Sequence, residues 1–230
     1  MDLSNGHIGY ADGRAVFTPR MPLWLVRHGE THINLRRDAE GWAFSGTDDE
    51  QNQLTGRGRQ QAQELASRLW NTLGADVLDR KRIIVITSAL PRAKDTATPF
   101  IAMLESRGVD SVVRIEPRFN EIDLGAWNNR LFSELPAESE RMKRWRFHAD
   151  AVLCPADGEC FLQMMVRTKE ALEDCTREFA SEIVVVFSHA TAISAIRMNT
   201  GDPEFEDANG VLRWTGKGLK HAEFMRLGPG

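Results

Sequence analysis

Three apolar runs in this chain stop on residues that could share one chemistry. Leu23-Trp24-Leu25-Val26 ends in Arg27-His28, and Ile183-Val184-Val185-Val186-Phe187 ends in Ser188-His189. Ile83-Ile84-Val85-Ile86 ends in Thr87-Ser88, with Arg92 one helical turn further on. Glu121 follows a weaker run, Val112 to Ile115. Two imidazoles, two guanidinium groups and one carboxylic acid suit a phosphate monoester. A dianion needs fixed positive charge, and the planar fork of arginine matches phosphate oxygens in pairs. The same cations disfavour imidazolium, which keeps a nucleophilic lone pair on His28. Attack of that nitrogen on phosphorus splits one hard displacement into two easier ones. The leaving alkoxide then needs a proton, for which Glu121 is placed, and a bound dianion favours its acid form. His189 and the arginines would stabilise charge on the equatorial oxygens.

These residues cooperate only if the runs are parallel strands of one sheet. The pattern between the runs supports that. From Thr55 onwards, Ala62, Leu65, Ala66, Leu69 and Trp70 fall on one helical face, with Gly74 placed to end the helix. Ala93, Ala97, Phe100, Ile101 and Leu104 mark a second helix, and Phe161, Met164, Met165, Thr168 and Leu172 a third. A short helix is expected after His189, and residues 221–227 offer one more strand. Residues 41–54 read as a loop. Short β-branched runs alternating with helices predict a three-layer α/β/α fold around a mostly parallel sheet. In such sheets ligands sit outside the carboxyl ends of the strands. Residues 1–20 read as an N-terminal extension and 21–230 as one catalytic domain. Residues 126–156 lack a clean period and carry Trp127, Trp145 and Phe147, so a small lid over that strand edge is expected there.

Composition excludes several classes. The chain has 230 residues, 42% of them hydrophobic and 27% charged, an ordinary globular balance. A net charge of −4 and a pI near 5.9 argue against a polyanion-binding surface, so no nucleic-acid partner is expected. The cysteines, Cys154, Cys160 and Cys175, are odd in number and lack C-x-x-C spacing, which fits reduced thiols. No run is long enough to span a bilayer, and the first residues lack a signal-peptide pattern. A cytoplasmic enzyme with no membrane partner is the expectation.

The motifs together resemble the histidine phosphatase superfamily, also called the phosphoglycerate mutase-like family. Leu25-Val26-Arg27-His28-Gly29-Glu30-Thr31, with Asn34 following, is similar to its signature. Ser45-Gly46-Thr47-Asp48, Leu54-Thr55-x-x-Gly58, Ser88-Ala89-Leu90-x-Arg92-Ala93, Asn120-Glu121-Ile122-Asp123-x-Gly125-x-Trp127, Asp157-Gly158-Glu159 and Ser188-His189 follow in the family's order. The resemblance covers roughly residues 22–200. It implies a phosphate pocket of Arg27, His28, Arg92 and His189, with Glu121 as proton donor and Asn34 and Thr47 as further polar contacts. Ser188 and Ala190, beside the second histidine, join the expected substrate contacts. It also implies a phosphohistidine intermediate, no cofactor and no metal, a small phosphorylated substrate, and a homodimer as a frequent assembly. Cys160, Ser188 and Ala190 stand where the family often has serine or glycine, a departure that bears on substrate shape. Glu30 and Asp123 are neighbouring carboxylates that could compete with Glu121. His28 and His32 share the i, i+4 spacing of metal ligands, but the run H-G-E-T-H starts at a strand end and departs from H-E-x-x-H. Two other readings stay open: a phosphoglycerate mutase and a catalytically silent phospholigand-binding protein. About 35 residues separate Glu121 from Asp157, short for the mutase insertion, and every ionic group is kept.

Overall fold

A computed structural model describes residues 17–40, 50–78, 82–147, 153–201, 205–208, 211–214 and 218–228. Strands β1 (Leu23–Arg27), β2 (Ile83–Thr87), β3 (Ser111–Ile115) and β4 (Ile183–Ser188) are parallel. The antiparallel β7 (Phe224–Leu227) completes a sheet of order β3-β2-β4-β1-β7. A separate hairpin pairs β5 (Phe205–Ala208) with β6 (Val211–Trp214). The helices are α1 (His32–Glu40), α2 (Gly56–Leu78), α3 (Pro91–Ser106), α4 (Ser139–Phe147), α5 (Phe161–Glu178) and α6 (Ala190–Asn199).

The strands are apolar throughout because both faces are covered. Trp24 and Val26 of β1 face Leu65 and Leu69 of α2 and Phe100 and Leu104 of α3. Leu23 and Leu25 face the opposite layer, with Leu172 of α5 and Ile193 and Ile196 of α6. Burying each such side chain contributes about 1.5–3 kcal/mol. The edge strands are the exceptions: β7 is only partly buried, and β3 leaves Val113 and Ile115 half exposed. That explains the weak signature of β3. Gly74 does not stop α2, which runs on to Leu78. An interior glycine costs a helix only about 1 kcal/mol, and packing on the sheet overrides that.

The expected lid is a set of short turns around α4. It rests on a third core, where Trp127 and Met142 pack with Ile122, Met164, Met165 and Met198. Phe17, within the expected N-terminal extension of residues 1–20, is buried in the α5–α6 layer; residues 1–16 of that extension lie outside the described residues. Among the described residues, no helix is long and apolar enough to cross a membrane.

Candidate active site

The parallel register brings the ends of β1 and β4 level. Arg27 pairs with Ser188, so His28 and His189 emerge side by side. Their ring centroids are 5.1 Å apart with planes tilted by 55°. Both rings are almost fully buried, at 3% and 0% exposure. The spacing lets one phosphoryl group touch both.

Each tautomer follows from its partner. His28 Nδ1 lies 2.7 Å from the Gly29 carbonyl oxygen. A carbonyl can only accept, so Nδ1 carries the proton and Nε2 keeps its lone pair. Arg92 Nε donates to His189 Nδ1 at 3.1 Å, which places the His189 proton on Nε2, donated to Ser88 Oγ at 2.7 Å. Both histidines are held well below their ordinary value of 6.5, first by burial and next by Arg92. Burial therefore outweighs the cationic neighbours as the cause of neutrality at His28.

The loop after β1 is fixed by close backbone contact. Gly29 N–H donates to Thr96 Oγ1 of α3 at 3.0 Å, and that hydroxyl donates to the Arg92 carbonyl at 2.7 Å. The Gly58 backbone packs against Glu30, where a Cβ would lie 2.1 Å from the Glu30 carbonyl oxygen. Only glycine admits that approach. Arg92, at the second position of α3, is 1% exposed. Arg27 is half-buried and donates from Nη1 to the Leu219 carbonyl at 2.7 Å and from Nη2 to His221 Nε2 at 3.0 Å.

Glu121 reaches the site from an irregular loop and is 8% exposed. Its carboxylate accepts from the Ile122 N–H at 2.9 Å and from the Thr191 N–H of α6 at 3.3 Å. The competing carboxylates are engaged elsewhere. Glu30 accepts from Thr55 Oγ1 at 2.8 Å, and Asp123 accepts from the Gly125 N–H at 2.9 Å and Asn128 Nδ2 at 2.6 Å.

The expected substrate contacts have mixed placements. Asn34 is buried, and its Oδ1 accepts from the Thr31 N–H and hydroxyl at 3.0 and 2.8 Å. Ser188 donates its hydroxyl to the Phe119 carbonyl at 2.7 Å, which fastens the loop leading to Glu121 and engages the proton a substrate would need. Ala190 opens α6 and can offer only backbone. Thr47 lies outside the described residues. His32 starts α1 and is exposed, unlike the buried pair His28 and His189.

Two residues escaped the sequence reading. His221 has its ring 6.1 Å from that of His28. Arg167 of α5 donates to the carbonyls of Arg118, Asn120 and Glu121 at 2.6, 3.0 and 3.3 Å, and its charge is met by Glu159. It clamps the loop that presents Glu121. The Asp157-Gly158-Glu159 motif, already visible in sequence, was the available sign that some cation must meet Glu159.

Comparison with known proteins agrees with this geometry. The family model of the histidine phosphatase superfamily (branch 1) matches residues 23–209. A protein of Enterobacter sp. named probable phosphoglycerate mutase GpmB is 30% identical over 176 residues, 76% of this chain and 73% of that one. The α-ribazole phosphatase of Shigella flexneri is 30% identical, covering 77% of this chain and 79% of its own with a TM-score of 0.59. A mycobacterial glucosyl-3-phosphoglycerate phosphatase shares the fold at 24% identity, with a TM-score of 0.63 over 90% of this chain and 92% of its own. Paired buried histidines at the ends of neighbouring parallel strands, a buried arginine hydrogen-bonded to the second of them and a match over most of the chain place this protein in the histidine phosphatase superfamily.

Proposed function

We propose that the protein hydrolyses a small phosphorylated metabolite through a phosphohistidine on His28, with no metal or cofactor in the reaction, in the cytoplasm. The observation that carries this reading is the proton placement at His28: Nδ1–H is fixed on the Gly29 carbonyl, which leaves Nε2 as a buried neutral nucleophile 5.1 Å, ring to ring, from His189.

Substrate phosphate would sit between the two rings, with Arg92 and Arg27 opposing its charge. The Nε2 lone pair forms the N–P bond as the P–O bond to the leaving group breaks, and Glu121 passes its proton to that oxygen. Water then gives its proton to the Glu121 carboxylate and attacks phosphorus, which breaks the N–P bond and frees His28. The cost of ordering these groups is met by the sheet before substrate arrives, so the site acts by positioning and charge.

A mutase is the second reading, favoured by the name of the Enterobacter relative. It must return the phosphoryl group to the substrate and keep water out. The short segment between Glu121 and Asp157, whose α4 packs through Met142 but leaves Arg141 and Arg144 at the surface, supports hydrolysis. Incubation with 3-phosphoglycerate and a bisphosphoglycerate primer separates the two. Release of inorganic phosphate supports the phosphatase; isomerisation without release overturns it. A strict requirement for an added divalent metal would overturn the metal-free chemistry.

A further inference from the structure

A cleft of about 560 Å³ opens beside the paired histidines, between the outer face of α2 and the turn before β7. Arg27 and His221 line it and also border His28, so the cleft continues the site. Among the described residues, none of the lid lines it. Its wall carries four cations, Arg27, Arg57, Arg68 and Lys220, against two carboxylates, Glu64 and Glu223.

The pairing of Arg57, Arg68 and Lys220 leaves positive charge usable. Arg57 meets Glu64 only at 3.4 Å, and Lys220 meets Glu223 only at 4.0 Å, with all four side chains substantially exposed. Arg68 donates to the Ala222 carbonyl at 2.6 Å, a neutral partner that satisfies an N–H without cancelling the charge. Among the described residues, Arg68 forms no ion pair. The turn itself is held in a costly shape. Ala222 has φ of 53°, in the left-handed region, and its N–H donates to the Arg27 and His28 carbonyls at 3.1 Å each. That locks His221 and Lys220 beside the strand end that carries the nucleophile.

Resting on the phosphatase reading, we infer that this cleft holds a second anionic group of the substrate. The substrate class is then a phosphomonoester whose leaving group carries a carboxylate or a further phosphate. Charge-assisted contacts at a partly exposed site would favour such substrates by about tenfold or more in kcat/KM.

The test measures phosphate release by the full chain from matched pairs. One pair is 3-phosphoglycerate and glycerol 3-phosphate; the other is fructose 1,6-bisphosphate and fructose 6-phosphate; an aryl phosphate serves as reference. Preference for the first member of either pair, screened by added salt, supports the inference, and the pair that shows it names the anion. The Arg57→Gln/Lys220→Gln double variant should bring that ratio down to within about threefold of unity, because two exposed charges of the wall are gone. Its thermal midpoint reports that the fold is kept. A ratio unchanged in the variant, or no preference in either pair while the aryl phosphate turns over, overturns the second-anion site alone. No release from any of the five substrates overturns the phosphatase reading and this inference with it.

Discussion

The two halves of the active site are built differently. The nucleophile half stands on the ends of β1 and β4, neighbours in the middle of the sheet, where every strand residue but Arg27 is buried and the register sets His28 against His189. The acid half hangs on an irregular loop, residues 120–124, which belong to no strand or helix. Its position depends on side chains: Arg167 on three carbonyls, Ser188 on the Phe119 carbonyl, and Asn120 Oδ1 accepting from the Ala89 N–H at 2.8 Å. A rigid sheet can place a ring nitrogen to fractions of an ångström. A loop held by hydrogen bonds can be shifted by one substitution. Damage to the first half should thus remove the chemistry, and damage to the second should grade it.

The largest effect is expected at His28. His28→Ala removes the only atom that bonds phosphorus, and turnover should fall by about four orders of magnitude or more while the circular dichroism spectrum is retained. A rate within tenfold of the parent would erase the distinction between the halves. Glu121→Gln comes next, with kcat down by about 10²–10⁴ on an alkyl phosphate. An aryl phosphate, whose leaving oxygen needs little protonation, should lose far less in kcat/KM, which reports formation of the phosphohistidine, although its kcat falls with the slowed hydrolysis. Equal losses of kcat/KM on both substrates would remove Glu121 from protonation of the leaving group.

Arg167→Met sharpens the comparison, since it acts on the acid half alone. The three carbonyls lose their donor and Glu159 its partner, so stability should drop by about 2–4 kcal/mol. Turnover should fall about tenfold or more through kcat, with the alkyl-over-aryl loss seen for Glu121→Gln. A loss in thermal midpoint with no such substrate dependence would make Arg167 structural only.

The smallest effect is on stability against pH. His28 and His189 are neutral in the folded chain, held below 6.5 mainly by burial. As pH falls through 6.5 the unfolded chain takes up protons that the folded chain refuses. Stability should therefore decline as pH falls below about 6.5, and the loss is shared by the two histidines. Denaturant midpoints across that range check it. His189→Asn should lessen the slope, and an unchanged slope would contradict the neutral pair.

The difference between the halves also decided what the sequence could disclose. Strands buried on both faces have no choice but continuous apolar runs, so β1, β2 and β4, and the residues that end them, were plain to read. The covered faces of α2, α3 and α5 were equally plain. α4 was missed because it packs mainly through Met142, too little for a helical period. Arg167 looked like any charged residue of an amphipathic helix; its three carbonyl partners lie about fifty positions earlier in the chain. His221 was invisible for the same reason. It comes beside His28 only because β7 pairs antiparallel with β1. Asn34 and Ser188 were named for substrate contact; the Asn34 Oδ1 also accepts from Thr31 and the Ser188 hydroxyl donates to the Phe119 carbonyl, partners that spacing alone does not reveal.

One measurement tests the central claim most directly. The enzyme is mixed with substrate, quenched within its first turnovers, digested without acid and examined by mass spectrometry. The account predicts a phosphoryl group on His28, absent from His28→Ala and enriched in Glu121→Gln with an aryl phosphate, where formation continues but hydrolysis is slowed. Full turnover with no phosphorylated histidine, or with the group on another residue, would contradict it.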